Sequence, residues 1–219
     1  GSYFHESFDK KLKQNNNRSW ITFGKKTYRW IKQNPIDNLT GKELDPKQWV
    51  KAGFEIYKQI FDWLDKTFGK FEVIGSEVKL FEKIEELEYP FYFKGFVDFV
   101  IKDEKGKYHI IDFKTTNWGW DKYKRSDTLK QYQITLYKKF ICKKFNIDVS
   151  DAETHFVLLK RSESIKEKCE LITISSGNKK IENATNLVVK TIKSMKKPPY
   201  LKNYNSCKFC PFKNTKHCP

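Results

Sequence analysis

From Trp49 to Leu64 the apolar side chains Trp49, Phe54, Ile56, Tyr57, Ile60, Phe61 and Leu64 recur at helical spacing. That pattern predicts an amphipathic helix laying one stripe on a core. Its start is written just upstream: Asp45 can cap, Pro46 suits the first helical position and Gln48 can close a capping box. The helix is expected to reach about Phe68. From Phe71 the period changes. Phe71, Val73 and Ile74, then Val78, Leu80 and Phe81, predict a strand, and Phe91 to Ile101 and Tyr108 to Phe113 predict two more, with a turn at Asp103-Glu104-Lys105-Gly106. The three should form an antiparallel meander. A helix over Thr128 to Phe145, a strand over His155 to Lys160, a polar hairpin to Ile174 and an amphipathic helix over Lys179 to Met195, stopped before Pro198-Pro199, complete the pattern. Near the start, Trp20 to Ile31 reads as helical between loop-like stretches at 13–19 and 33–45. No internal repeat is visible, and no run approaches the ~18 apolar residues of a membrane-spanning helix.

A chain of 219 residues, 38% hydrophobic and 16% aromatic, can bury one real core. Its 43 Lys and Arg against 27 Asp and Glu leave a formal charge of +16, a field that attracts polyanions, nucleic acid first among them. The competing explanation is a biased genome, since only four of the 43 are Arg. The cysteines are Cys142, Cys169, Cys207, Cys210 and Cys218, an odd number crowded at the end. That is a poor disulfide framework, and it points to an intracellular, cytoplasmic protein. The chain begins Gly1-Ser2, and no targeting segment is readable there.

Two acids stand where a strand should be apolar: Asp98 inside Gly95-Phe96-Val97-Asp98-Phe99-Val100, and Asp112 inside Ile110-Ile111-Asp112-Phe113-Lys114. A carboxylate placed beside a core costs several kcal/mol unless a cation or hydrogen bonds compensate. A shared metal ion accounts for both economically. Alternation puts Lys114 on the same face as Asp112, so acid and base point to one spot.

Gly95-x-x-Asp98 followed by Asp112-x-Lys114 resembles the signature of the PD-(D/E)xK nuclease superfamily. Gln133-Ile134-Thr135-Leu136-Tyr137 resembles the Q-x-x-x-Y helix of its RecB-like branch, which includes CRISPR-adaptation nucleases, and Glu77 falls where that branch often places an acid, with Glu82 as its competitor. The resemblance implies an α/β fold: a restriction-endonuclease-like core with a mixed central β-sheet flanked by α-helices, and a C-terminal cysteine-bearing tail. It divides the chain into a nuclease domain over 1–200 (N-terminal helical region 1–70, catalytic core 71–175, helix 178–196) and a metal-binding tail over 201–219. It further implies a Mg²⁺ or Mn²⁺ ion held by Asp98, Asp112, the Phe113 carbonyl and His5, with Glu77 assisting. His5 fits the family's G-x-x-x-H element as Gly1-x-x-x-His5; Gly24-x-x-x-Tyr28 has the same spacing but a tyrosine at its end. His109 and His155 read as ordinary strand residues.

Hydrolysing a phosphodiester needs charge neutralised on the phosphorane, a deprotonated water and help for the leaving oxygen. Lys114 would orient or deprotonate the water, with Gln133 and Tyr137 supporting the site. After Lys114 the loop Trp118, Trp120, Lys122, Lys124 and Arg125 interleaves aromatic and basic residues, as a single-strand platform does, although the tryptophans could equally cap the core. In the tail, Cys207-x-x-Cys210 and Cys218 show three of the four ligands of a family [4Fe–4S] cluster. No cysteine precedes Cys142, so Cys142 or Cys169 as fourth ligand, Zn²⁺ with His217, or free thiols stay open. The expected activity is a metal-dependent deoxyribonuclease, an exonuclease on single-stranded DNA or DNA ends, in recombination, repair or replication, of phage type. It would work in the host cytoplasm, with DNA and a recombination or replication protein as partners and no membrane. A silent nucleic-acid-binding module and a structure-specific endonuclease are the alternatives.

Overall fold

Asp45 caps helix α1 (Pro46–Phe68) by accepting the Lys47 amide at 2.9 Å, Pro46 occupies its first turn, and Gly69 closes it with φ 71°. The computed structural model describes residues 28–29, 31–33, 43, 45–195, 207, 210–216 and 218. The expected helix over Trp20 to Ile31 therefore lies almost wholly outside the described residues. They divide into two units, one within Gly1–Ala184 and one within Thr185–Pro219.

The first unit is built on a five-stranded sheet in the order β1 (Phe71–Lys83), β2 (Tyr92–Asp103), β3 (Tyr108–Thr116), β4 (Ala152–Lys160) and β5 (Cys169–Ile174). The expected antiparallel meander is β1 to β3. Its second turn is tight because Asp103 Oδ1 accepts the amides of Lys105 and Lys107 at 2.9 and 2.8 Å while Gly106 takes φ 83°. Strands β3 and β4 are parallel, a join that requires a crossover. It is supplied by the single-turn helix α2 (Lys122–Ser126) and by α3 (Thr128–Phe145), capped by Asp127 and closed by Asn146 in the left-handed region, φ 54°. β5 returns antiparallel to β4, and α4 (Asn178–Ser194) follows. No helix among the described residues is long and apolar enough to cross a membrane.

Each face of the sheet has its own helix. Ile56, Ile60 and Leu64 of α1 pack on Phe99, Ile101, Ile111, Phe113, Val157 and Leu159, whereas Ile134 of α3 packs on Phe156, Leu158, Ile172 and Ile174. The even-numbered positions of β3 and β4 thus belong to α3, and this parity decides where Asp112 and Lys114 look. Ile60 is fully buried in the α1 layer, so Ile60→Ala is expected to cost about 2–5 kcal/mol, read as a lower urea midpoint.

Strands β1 and β2 run past the sheet. β2 pairs with β3 only over Phe99–Lys102, and the remaining ribbon, residues 77–83 with 92–98, is two-stranded. Phe99 and Ile101 lie in the α1 layer, yet Phe93, of the same parity, stacks on Phe140 of α3 at 4.5 Å. The ribbon therefore turns over on leaving the sheet, as two-stranded ribbons readily do. Glu77 sits at the turnover with φ 49°.

In the second unit, Lys213 donates its amide to the Cys210 carbonyl at 3.2 Å, and Thr215 and Cys218 form an isolated bridge.

Candidate metal-dependent nuclease site

The β2–β3 ladder ends at Phe99↔Ile111, so the next residues outward, Asp98 and Asp112, stand side by side on the α3 face. Where the ladder stops, the Asp98 side chain takes over. Its Oδ2 accepts the Phe113 amide at 2.7 Å, tying β2 to β3. Asp112 is buried, and its Oδ2 lies 2.6 Å from Lys114 Nζ, whose ammonium also sits over the Phe156 ring at 5.8 Å. The mid-strand acids and the lysine are thus one constellation.

Electrostatics follow from the crowding. Burial, and then the negative charge of Asp112, push the Asp98 carboxyl up to about 8, against the pull of the Phe113 amide and Lys114. Two adjacent carboxylates relieved by one ammonium are short of positive charge, and their hard oxygens suit Mg²⁺ or Mn²⁺. Glu77 faces Asp98 by register, between the pairs Ser76↔Phe99 and Val78↔Val97, and its charge raises Asp98 further. Its competitor Glu82 is turned to Lys144 at 3.5 Å.

Helix α3 closes the site. Gln133 Nε2 donates to the Tyr137 hydroxyl at 3.2 Å, and burial together with the charges of Asp112 and Asp98 raises the Tyr137 phenol. The glycine of Gly95-x-x-Asp98 has a steric reason: a Cβ there would meet Tyr137 Cε1 at 3.0 Å and Phe93 Cε1 at 3.3 Å. Gly95→Ala is expected to displace the Tyr137 ring and lower cleavage by about three- to tenfold with little loss of stability, since a small shift near reacting groups is felt in rate. Paired cleavage and thermal-unfolding assays check it.

An ordered set of this kind, Gly95-x-x-Asp98, Asp112-x-Lys114 and Gln133-x-x-x-Tyr137 gathered by one sheet and one helix, matches a family description. The family model of the PD-(D/E)XK nuclease superfamily matches residues 1–217. The chain belongs to this superfamily. A PD-(D/E)XK protein acts on nucleic acid as a nuclease, and divalent metal ions serve its members. Among solved structures, SSO0001 is 15% identical with a TM-score of 0.45, covering 85% of this chain and 78% of that one. A candidate exonuclease from Eubacterium rectale is 13% identical with a TM-score of 0.49, covering 95% and 71%. Both likenesses are distant. No curated protein matches the chain.

Other expected site residues are distributed unevenly around this PD-(D/E)XK core. His5 and His217 lie outside the described residues. In the loop after β3, Trp118 is 69% exposed and Lys122 and Lys124 face solvent, whereas Trp120 packs on Phe156 at 5.1 Å. Arg125 is engaged with the Trp120 carbonyl at 2.8 Å and with the Glu170 carboxylate. Cys207, Cys210 and Cys218 are partly exposed free thiols. Burial pushes Cys142 and Cys169 up to about 11 and about 12, so at neutral pH both are protonated thiols.

Sequence reasoning missed one cluster. His109, Glu153 and His155 bring one ligand atom each within 4.8 Å of one another on the α1 face, a closeness that Glu77, Asp98 and Asp112 do not reach together. His109 Nδ1 and His155 Nε2 are 3.0 Å apart; their other ring nitrogens meet Asp103 Oδ2 at 3.3 Å and Thr173 Oγ1 at 3.0 Å. Phe68 of α1 covers both rings. The donors suit a zinc-like ion more than magnesium, and they face away from Asp112. The clue in the sequence was parity: both histidines occupy odd positions of strands whose odd positions also carry Ile111 and Phe113 and Val157 and Leu159 of the α1 layer.

Proposed function

We propose that this chain is a deoxyribonuclease that hydrolyses phosphodiester bonds with Mg²⁺ or Mn²⁺ and works on single-stranded DNA or DNA ends as an exonuclease. The observation behind the reading is the Asp98–Asp112 pair with Lys114 Nζ at 2.6 Å. Asp98 and Asp112 would hold the ion, with the Phe113 carbonyl, Glu77 and His5 as further candidates. A bound divalent ion lowers the pKa of a water and neutralises charge on the phosphate. Lys114, anchored on Asp112, orients the attacking water and offsets charge in the transition state. Tyr137, held by Gln133, walls the site on the α3 side. Trp118, Lys122 and Lys124 would meet the DNA, and Trp120 and Arg125 would hold their loop.

Membership of the RecB-like branch, a phage-type origin, a cytoplasmic setting and a role in recombination, repair or replication go with this reading. They draw on the Gln133–Tyr137 pattern and the Lys-rich composition. For the tail, Cys207, Cys210 and Cys218 stay candidates for an iron–sulfur cluster or zinc, to be decided by elemental analysis and visible absorbance of anaerobically prepared protein.

The deciding experiment is cleavage of end-labelled linear and circular single-stranded DNA with Mn²⁺. Degradation of the linear strand alone is expected. Cutting of the circle would make the protein an endonuclease, and tight binding without cleavage would leave a binding module on the nuclease fold.

A further inference from the structure

The ribbon that overhangs the sheet has one dry side and one wet side. Leu80, Phe93 and Gly95 form the dry side: Leu80 is fully buried, and Phe93 and Gly95 sit against Phe140 and Tyr137 of α3. On the wet side the cross-strand pairs are Lys79↔Phe96, Phe81↔Lys94 and Lys83↔Tyr92, and all six residues are exposed. Residues directly opposite in an antiparallel pair share a face, so three aromatics and three lysines form one checkerboard with no acid in it. Phe81, Tyr92 and Phe96 are 57%, 48% and 48% exposed. The Phe81 and Tyr92 rings are stacked at 4.8 Å, 3° from parallel. Lys83 reaches Glu85 at 3.3 Å, whereas Lys79 and Lys94 make no ion pair among the described residues.

Single exposed aromatics are ordinary on protein surfaces, but three contiguous ones are not, and their chemistry selects an occupant. An apolar protein partner would have to strip water from three ammonium groups without compensating charge. A nucleic-acid strand offers flat bases to the rings and phosphates to the lysines in alternation. Unpaired bases are required, because a duplex hides its faces. The surface also starts close to the chemistry: Lys79 and Phe96 are two residues from Glu77 and Asp98, and Lys83 and Tyr92 six, about 7–20 Å along the ribbon.

We propose that this face of the β1–β2 ribbon is a sequence-independent binding platform for single-stranded DNA, which holds the substrate strand beside the Asp98–Asp112 site. The proposal rests on the nuclease reading for the platform's purpose, not for its binding. The platform adds a surface that the Trp118 loop does not include.

The test is anisotropy of a labelled oligo-dT with the full chain in EDTA over a salt series, beside cleavage with Mn²⁺. Phe81→Ala/Phe96→Ala is expected to bind at least tenfold more weakly. Lys79→Glu/Lys94→Glu, which leaves the ring stack in place should the aromatic variant fold poorly, is expected to bind more weakly and to flatten the slope of log affinity against log salt by about 1.4, roughly 0.7 for each phosphate no longer neutralised. Asp112→Asn should bind like the parent and not cleave. If both platform variants bind within twofold of the parent, or the parent does not bind oligo-dT, the platform is overturned whatever the cleavage assay shows. If the variants lose binding while the parent never cleaves, the platform stands and the nuclease reading falls.

Discussion

Lys114→Ala is expected to slow DNA cleavage by about 10²–10⁴-fold, the range that a positioned acid–base group contributes. The ammonium is 2.6 Å from Asp112 Oδ2, and it is the cation that acts on Asp98 against the carboxylate crowding. Three lysines of the α3 side are turned to other acids: Lys139 to Glu86, Lys144 to Glu82 and Lys160 to Glu170. The loss should appear in the single-turnover rate at saturating DNA, with KM little changed, since the ammonium acts on the reacting phosphate more than on the bound strand. Metal affinity, followed by calorimetry, should change less than the rate. Lys114→Arg is expected to recover only a small fraction of the activity, because a planar guanidinium does not reproduce a compact ammonium beside Asp112. A rate within threefold of the parent for Lys114→Ala would remove Lys114 from the site.

The elements were legible because their patterns are unmixed. The α1 stripe and its Asp45-Pro46 start announce themselves through period and cap and the Asp103–Gly106 turn through its turn residues, and these, like the Thr128–Phe145 helix, stand where expected within a residue or two. Asp98, Asp112 and Lys114 were legible for the opposite reason, as charges that no core would accept without a purpose. What the sequence hid was long-range. The turnover of the ribbon depends on β3 ending its pairing at Phe99, and parity counted along β2 alone puts Phe93 on the wrong side. The basic-aromatic pattern after Lys114 was conspicuous because it is contiguous. The checkerboard of Lys79, Phe81, Lys83, Tyr92, Lys94 and Phe96 is split over two strands and becomes visible only through register. His109 and His155 are 46 positions apart and meet through the parallel pairing of β3 with β4, which no local pattern encodes.

Metal affinity at the Asp98–Asp112 site is expected to rise about tenfold per unit between pH 6 and pH 8 and to level off above. The Asp98 carboxyl, pushed up to about 8 by burial and by Asp112, keeps its proton in that window, and an incoming ion must displace it. The same proton sets the stability of the metal-free chain. An unfolded aspartate releases its proton near 3.9, so between about pH 4 and 8 the folded chain binds one proton more than the unfolded chain, and stability falls as pH rises. His155 has the reverse effect: burial, and then His109, hold its imidazole down to about 3, so stability falls as pH drops from about 6.5 towards 3. Of these two slopes, the one from Asp98 operates above pH 6.5. In EDTA the parent should therefore lose roughly 2 kcal/mol between pH 6.5 and 8.5, as one pH unit is worth about 1.4 kcal/mol for one proton. Asp98→Asn should remove that slope and bind Mn²⁺ weakly at every pH. Calorimetric titration with Mn²⁺ at pH 6, 7 and 8, beside urea unfolding in EDTA, reads both effects. A parent affinity that does not move across the three values would mean that Asp98 is already ionised, and that the acids are neutralised by something other than the proton an ion must replace.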